Sequence, residues 1–247
     1  MAEADLILAV LILVAATLYS SVGHAGASGY LAAMALFGLA PEAMRPAALS
    51  LNILVASIAT IRYARAGQSN WQLLWPFAVT SVPAAFIAGA ISVPPDIYKP
   101  LVGAVLAVSA VQFIRTAGQA PLSDRLTKAP HLATALAAGA GLGLLAGLTG
   151  TGGGIFLSPL ILFMGWADTR STSGVVAAFI LVNSISGLLG TTVSIGALPN
   201  ALPFWAIAAA VGGLIGTQLG TRHLQIPGLR YALAAVLFIA AAKLILA

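Results

Sequence analysis

The sequence contains no cysteine and very few charged residues. The absence of cysteine among 247 residues excludes disulfide bonds, thiolate metal ligands and a cysteine nucleophile. Asp, Glu, Lys and Arg together make up only 7% of the chain, whereas a soluble domain contains about 25%. The chain therefore has too little polar surface to face water on all sides.

Hydrophobic residues fill the place of the missing charges. They make up 60% of the chain, and apolar runs of roughly 18 or more residues, each a candidate membrane span, recur along its whole length. The N-terminus, "MAEADLILAV", carries Glu3 and Asp5 and no basic residue, so it lacks the positive n-region of a secretory signal. We expect the first hydrophobic segment to be retained as a span. The composition predicts an all-α polytopic membrane protein.

Motifs for nucleic-acid binding, enzymatic catalysis and cofactor binding are missing as well. The net charge of +5 fits basic residues in cytoplasmic loops, and there is no basic run or polar domain to bind nucleic acid. The stretch "GTGGGI" fails the dinucleotide pattern because Ile155 occupies the place of the last glycine. With no P-loop and no clustered carboxylates, we predict neither an enzyme nor a cofactor or metal site. No acidic residue lies deep in an apolar segment, which argues against an all-carboxylate sodium site or an Asp/Glu proton relay.

The chain repeats itself at an offset of 127 residues. At this offset "ILVASI" (Ile53 to Ile58) matches "ILVNSI" (Ile180 to Ile185) without a gap. The same offset aligns glycines and prolines over much of each half: Gly23 with Gly150, Gly26 with Gly153, Gly38 with Gly165, Pro76 with Pro203, Gly89 with Gly216 and Pro100 with Pro227. Such a match predicts two homologous transmembrane halves, residues 1–114 and 132–247, joined by a cytoplasmic linker, residues 115–131.

Each half contains five apolar segments. In the first half these are residues 6–21, 28–40, 47–66, 72–92 and 98–114, and in the second half residues 132–149, 154–166, 173–196, 200–219 and 228–246. The second segment of each half is short: at 1.5 Å per residue, 13 helical residues span only about 20 Å, against a hydrocarbon core of about 30 Å. We expect a broken or re-entrant helix in each half, and eight to ten spans in total.

The distribution of Arg and Lys favours an odd number of crossings per half. If every segment crosses once and the N-terminus lies outside, eight basic residues fall on the cytoplasmic side and three on the other. If the short segments do not cross, no such bias remains. Because Lys/Arg asymmetry sets orientation, the odd count is favoured. Two halves with an odd count lie upside down relative to each other, the inverted repeat of many secondary transporters.

Two glycine-rich stretches interrupt apolar segments at equivalent positions of the repeat: "SSVGHAGASGYL" (Ser20 to Leu31) and "TGTGGGIFLSP" (Thr149 to Pro159). Non-helical backbone at membrane depth is tolerated only where protein buries it or water reaches it, and a pair of such breaks indicates a transport site. Each break frees amide groups ahead of a helix N-terminus, which attracts anions. The candidate substrate-binding residues are Ser21, Gly23, His24, Gly26, Ser28, Asn52, Thr149, Gly150, Thr151, Gly152, Gly153, Gly154 and Asn183.

Several of these positions have a simpler alternative. The alternative role for the glycines of the breaks is close helix packing alone, which is the interpretation we adopt for Gly212, Gly213 and Gly216. His24 is either a site residue that carries a proton or donates to an anion, or a histidine packed at a helix end. Asn52 and Asn183 either face the pathway or bond across helices. Arg45 is interpreted as a surface arginine that extends to the interface rather than as an anion ligand.

The two interrupted stretches resemble those of a known family, the TauE/SafE sulfite exporters. The resemblance rests on "GLTGTGGGIFLSPLILFMG" (Gly147 to Gly165), on its counterpart from Ser20 to Ser57, and on "RYARAGQSNWQLLWPF" (Arg62 to Phe77). It covers almost the whole chain. It implies a plasma-membrane transporter for sulfite, organosulfonates or related small anions, commonly acting in export.

The residues and the resemblance lead to one main hypothesis. We expect a multi-pass secondary transporter that moves a small anion by alternating access, with the lipid bilayer and its substrate as partners and a homo-oligomer as a further option. A passive anion channel and a membrane subunit without transport activity are the alternatives.

Overall fold

A computed structural model describes residues 3–116, 128–191, 198–221 and 227–246. Over these ranges every regular element is an α-helix. In chain order the helices are α1 Glu3–Ser20, α2 Ala27–Leu36, α3 Pro41–Arg65, α4 Trp71–Ala90, α5 Pro95–Thr116, α6 Leu132–Thr149, α7 Gly154–Met164, α8 Thr169–Gly190, α9 Leu202–Thr221 and α10 Pro227–Leu246. The five segments expected in each half are therefore confirmed, and the polytopic all-α prediction with them. The expected linker falls mostly on residues 117–127, outside the described residues, and its cytoplasmic placement stays a prediction.

The expected boundaries fail mainly at the two third segments. Helix α3 begins at Pro41 instead of residue 47, because Pro46 is accommodated inside the helix. Helix α8 begins at Thr169, since the carboxylate of Asp168 caps it, and ends at Gly190. Part of the expected extension of this segment to residue 196 lies outside the described residues.

Seven of the described helices are long and apolar enough to cross a membrane, and α2 and α7 are too short. At 1.5 Å per residue, the 10 residues of α2 span about 15 Å, half the hydrocarbon thickness. Large hydrophobic side chains cover the outside of the bundle; Phe163 is 89% exposed and Ile207 65%. Such a surface is suited to lipid rather than to water.

Glycine rows fix the relative direction of two helix pairs. Glycines of α6, four residues apart, approach successive carbonyls of α4: Gly139 approaches Phe77, Gly143 approaches Ser81 and Gly147 approaches Ala85. Glycines of α9 approach α1 in the same way: Gly212 approaches Leu13, Gly216 approaches Thr17 and Gly220 approaches Ser21. Because the paired numbers rise together, α6 is parallel to α4 and α9 is parallel to α1. The packing role expected for Gly212 and Gly216 is confirmed, since a Cβ atom at either would meet backbone.

The central pair, α3 and α8, is antiparallel. Gly187 of α8 lies next to Leu49 of α3, and Ser184 of α8 lies next to Asn52 of α3. The residue numbers thus fall along α8 as they rise along α3. Helix α3 runs parallel to α9, where Val55 meets Gly213 and Tyr63 meets Gly220. Helix α4 runs parallel to α8: Ser186 donates to the Val82 carbonyl, and Gly190 lies at Phe86.

These registers establish the inverted repeat. Helices α1, α3 and α9 point one way, and α4, α6 and α8 point the other way. Each of α1, α3 and α4 therefore opposes its duplicate in the second half: α6, α8 and α9. The aligned glycines also repeat their backbone conformation. Gly23 and Gly150 both have φ of 81°, and Gly38 and Gly165 have φ of 72° and 66°. These left-handed conformations suit glycine because it lacks a Cβ.

The short helices carry the chain back across the bundle. Because α1 and α3 are parallel, residues 21–40 must return between them, and α2 does run against α1: Ser28 contacts Tyr19, and Gly29 contacts Ala15. We call residues 21–26 the first loop and residues 150–153 the second loop. Each loop together with its short helix forms one broken crossing.

Candidate functional site

The two short helices begin without a side-chain cap, as the long helices α3 and α6 also do. Side-chain oxygens cap the starts of two long helices: Asn70 accepts from the Leu73 amide at α4, and Asp168 accepts from two amides at α8. The short helices start instead at Gly26 and Gly153, which carry no side-chain cap. The first four amides of a helix lack intrahelical acceptors, and the N-terminus carries about half a positive charge. The starts of α2 and α7 therefore have the amides and the partial positive charge that favour an anion.

The second loop runs inward from one end of the α3–α8 pair. Gly150 packs against the backbone of Arg45, near the start of α3. Two residues later, a Cβ atom on Gly152 would lie 3.0 Å from Asn52 Nδ2 and 3.0 Å from Ser184 Oγ. Asn52 lies in the middle of α3, and Ser184 lies in the C-terminal third of α8. The N-terminus of α7 thus begins deep inside the helix bundle.

Backbone conformation and space both require glycine here. Gly152 and Gly153 have φ of 72° and 74°, in the left-handed region that L-residues avoid. A Cβ atom on Gly152 would also lie 2.8 Å from Ile180 Cγ2, and one on Gly153 would lie 3.0 Å from the Leu142 carbonyl. Helix packing accounts for part of this crowding, but it does not require the unwound backbone.

Threonine hydroxyls close the end of α6 beside this loop. Thr149 donates to the Leu145 carbonyl at 2.6 Å, and its hydroxyl lies 2.8 Å from that of Thr151. Tyr98, at the start of α5, donates to the Thr149 carbonyl at 3.2 Å. Both threonines are buried, with at most 5% of their surface exposed. Their hydroxyls add polar groups to the loop in the middle of an apolar bundle.

Two asparagines provide the amide groups of the centre. Asn52 and Asn183 are fully buried, and the Oδ1 atom of each has no hydrogen-bond partner within the described part of the chain. Asn52 Nδ2 lies 3.4 Å from Ser184 Oγ. Asn183 Nδ2 donates to the Phe179 carbonyl at 2.8 Å, and Phe179 also borders Gly153. The structure thus brings Asn52 to the second loop and places Asn183 on the same helix as Ser184.

The first loop enters the bundle from the opposite end of the α3–α8 pair. Gly23 packs against the backbone of Ser173, near the start of α8. Ser173 also donates to the Val22 carbonyl at 3.2 Å. Along α8, Ser173 lies 7 to 11 residues before Ile180 and Ser184, which is about 10–16 Å at 1.5 Å per residue. Gly23 therefore does not meet Gly152; each loop is held by the third helix of the other half.

The polar groups of the first loop bond locally. Ser21 donates to the Leu18 carbonyl, and Ser28 donates to the hydroxyl of Tyr19 at 2.6 Å. His24 is 7% exposed, and its Nδ1 lies 3.2 Å from the Val22 carbonyl. Its ring also stands edge-on to that of Tyr19, with centroids 6.3 Å apart. His24 is thus part of the loop's packing, whatever further role it has.

Arg45 is not the interfacial arginine expected from the sequence. It is 8% exposed and donates to the carbonyls of Ala88, Gly89 and Ile91 at the end of α4. A cation at a helix C-terminus satisfies orphan carbonyls and opposes the negative end of the dipole. The contact spans 46 residues of sequence, so local pattern could not reveal it.

Two neighbours of the second loop were missed in the sequence. Ser184 follows Asn183 and belongs to "ILVNSI", the segment that aligns with "ILVASI"; the repeated Ser-Ile pair is the signal that could have found it. Tyr98 gave no comparable signal.

The carboxylates in the described part of the chain lie at the first turns or caps of helices and not at the second loop. They are Glu3, Asp5, Glu42, Asp96 and Asp168. A small anion at the loops would meet no like charge from them.

Comparisons with known proteins identify the family of the chain. The family model described as sulfite exporter TauE/SafE matches residues 8–244. The chain belongs to the TauE/SafE family. A relative from Sinorhizobium fredii, named "Probable membrane transporter protein y4hK", is 43% identical over 239 residues, which cover 96% of this chain and 97% of the relative. No solved structure matches. The family resemblance is confirmed, and the chain is a multi-pass membrane transporter protein of the plasma membrane.

Proposed function

We propose that this TauE/SafE transporter moves sulfite, an organosulfonate or a related sulfur oxyanion out of the cell by alternating access. The anion binds at the N-terminus of α7, beside Gly152 and Asn52, and at the equivalent N-terminus of α2. One observation carries the proposal: the uncapped helix start at Gly153 lies in the middle of the bundle, where Gly152 contacts Asn52 and Ser184.

The repeat supports a shared site for the two loops. Gly150 and Gly23 are held at opposite ends of the α3–α8 pair, by Arg45 and Ser173. Gly152 aligns with Ala25, which lies two residues inward from Gly23. By the inverted symmetry, Ala25 approaches the centre from the other side. Two helix N-termini that face each other there would surround a small anion with amide donors.

The inverted halves also support alternating access. A site between two inverted halves can be opened to either side by exchanging their conformations, as in other transporters built this way. Helices α1 and α9 form one cross-half pair and α4 and α6 the other, each with backbones in close approach along a glycine row. We expect each pair to move as a unit, because its two backbones are in close contact.

Counterflow in proteoliposomes tests the proposal. Vesicles loaded with unlabelled sulfite should take up labelled sulfite faster than empty vesicles, since a carrier returns faster when loaded. Equal rates with and without internal sulfite would favour the passive channel. If sulfite, thiosulfate and short sulfonates are neither taken up nor stabilise the protein thermally, the result would favour a membrane subunit without transport activity.

A further inference from the structure

The buried oxygens of the central asparagines are the wrong chemistry for an anion. Asn52 Oδ1 and Asn183 Oδ1 are acceptors, and neither has a partner within the residues described. Buried polar atoms are nearly always satisfied, by protein, water or an ion, because an unpaired one destabilises the fold. An oxyanion offers more acceptors and cannot satisfy them. A cation can.

The hydrogen bonds of Asn183 fix which atom is available. Its Nδ2 donates to the Phe179 carbonyl one turn earlier at 2.8 Å, so Oδ1 is the atom turned away from the helix's own backbone. Asn52 Nδ2 donates to Ser184 Oγ at 3.4 Å. Ser184, which contacts Asn52, and Asn183 are adjacent residues of α8.

The second loop adds oxygens of the same kind. Residues 150–152 belong to neither α6 nor α7, so their carbonyls lie outside the helical hydrogen-bond ladders. Gly152 is the loop residue that faces Asn52 and Ser184. The C-terminus of α6, which ends at Thr149, also brings the negative end of its dipole to the loop. At one break, a helix start that favours an anion therefore adjoins a helix end that favours a cation.

We propose that Asn52, Asn183, Ser184 and the unwound carbonyls of the second loop bind a sodium ion. Neutral carbonyl, amide and hydroxyl oxygens suit a hard cation, and unwound backbone with helix C-terminal ends coordinates Na⁺ in other secondary transporters. The inference rests on the proposed function for its purpose. A cation bound next to the anion offsets the cost of bringing a lone negative charge to the membrane centre, and it couples anion movement to the sodium gradient.

Sodium binding is measurable without any substrate. We expect the unfolding midpoint of the purified protein to be higher in NaCl than in KCl or choline chloride of equal ionic strength. At ten times the dissociation constant the gain is about 3–5 °C. Asn52→Leu should remove the difference, and Ser184→Ala should shift the sodium titration to higher concentration. Ser109→Ala is the matched control, because Ser109 is equally buried and bonds only within α5.

If Asn52→Leu does not fold, Asn183→Leu and Asn52→Asp keep the proposal open to refutation. The aspartate retains an oxygen and adds charge, so it should bind sodium more tightly. The same midpoint in all three chlorides would overturn the proposal, as would a sodium effect that survives both leucine variants. Transport that depends on a proton gradient and not on sodium would also contradict the proposal. The asparagine oxygens would then accept hydrogen bonds from a protonated substrate.

The two proposals can fail separately. A sodium effect that depends on Asn52, without counterflow of any sulfur oxyanion, would contradict the substrate and leave the cation site standing. Counterflow of sulfite without a specific sodium effect would contradict only the cation site.

Discussion

Gly23 of the first loop lies against the backbone of Ser173, near the start of α8. The duplicate of this contact holds the second loop, where Gly150 lies against Arg45, near the start of α3. Each broken crossing is therefore anchored by the opposite half of the protein. A movement of α3 relative to α8 would be transmitted to both loops, which is what an alternating-access transporter requires.

Gly153→Leu should abolish transport while the protein still inserts in the membrane. The side chain would force a residue with φ of 74° into strain and would contact Leu142 and Phe179. We expect counterflow to fall by at least about tenfold, the factor that corresponds to 1.4 kcal/mol. Gly67→Leu is the matched control: its φ is 70°, and nothing lies within 4 Å of its added Cβ. Normal flux through Gly153→Leu would contradict the loop model.

Arg45→Met should destabilise the fold, because three carbonyls at the end of α4 would lose their donor. We expect the free energy of unfolding in detergent to fall by about 1–3 kcal/mol. Arg65→Met, at an exposed position near the end of α3, should change it by less than about 0.5 kcal/mol. Equal effects of the two substitutions would show that the cap does not stabilise α4.

Asp168 should make stability depend on pH in acid. Its partial burial favours the neutral acid, but hydrogen bonds from Ser171 and Arg170 outweigh that and hold the pKa of its carboxyl below the usual value. A lowered pKa contributes stability at neutral pH that is lost as the pH falls through it, here below about pH 4.

Asp168→Asn keeps a capping oxygen but does not titrate. Its unfolding midpoint should therefore fall less than that of the unmodified protein between pH 6 and about pH 3. Asp168→Ala removes the cap and should cost about 1 kcal/mol at neutral pH. Identical acid profiles of the aspartate and asparagine proteins would show that this carboxylate does not govern them.

His24→Gln should change the pH dependence of transport if His24 acts at the site. Glutamine keeps hydrogen-bonding capacity but does not titrate, so the measurement is initial uptake between pH 5.5 and 8. The ring packs against Tyr19, and the thermal midpoint of the variant therefore serves as the control for folding. An unchanged profile would assign His24 to packing alone.

The sequence predicted the features that recur in both halves, and it did not predict the roles of residues whose contacts lie far away in the chain. The offset between Gly23 and Gly150 located both loops, because their left-handed backbone restricts both positions to glycine. The start of α3 was placed too late because Pro46 reads as a boundary when its neighbours are unknown. Arg45 was misjudged for a different reason: its partners lie on α4, and no local pattern reports a tertiary cap. The same holds for Ser184, whose importance comes from its contacts with Asn52 and Gly152.

Hydrogen–deuterium exchange at residues 150–155 tests the central claim most directly. If the backbone amides of the second loop and of the start of α7 bind the anion, sulfite should slow their exchange, and residues 67–70 between α3 and α4 should be unaffected. Exchange at residues 150–155 that stays the same in saturating sulfite, in a preparation that carries out sulfite counterflow, would contradict the account.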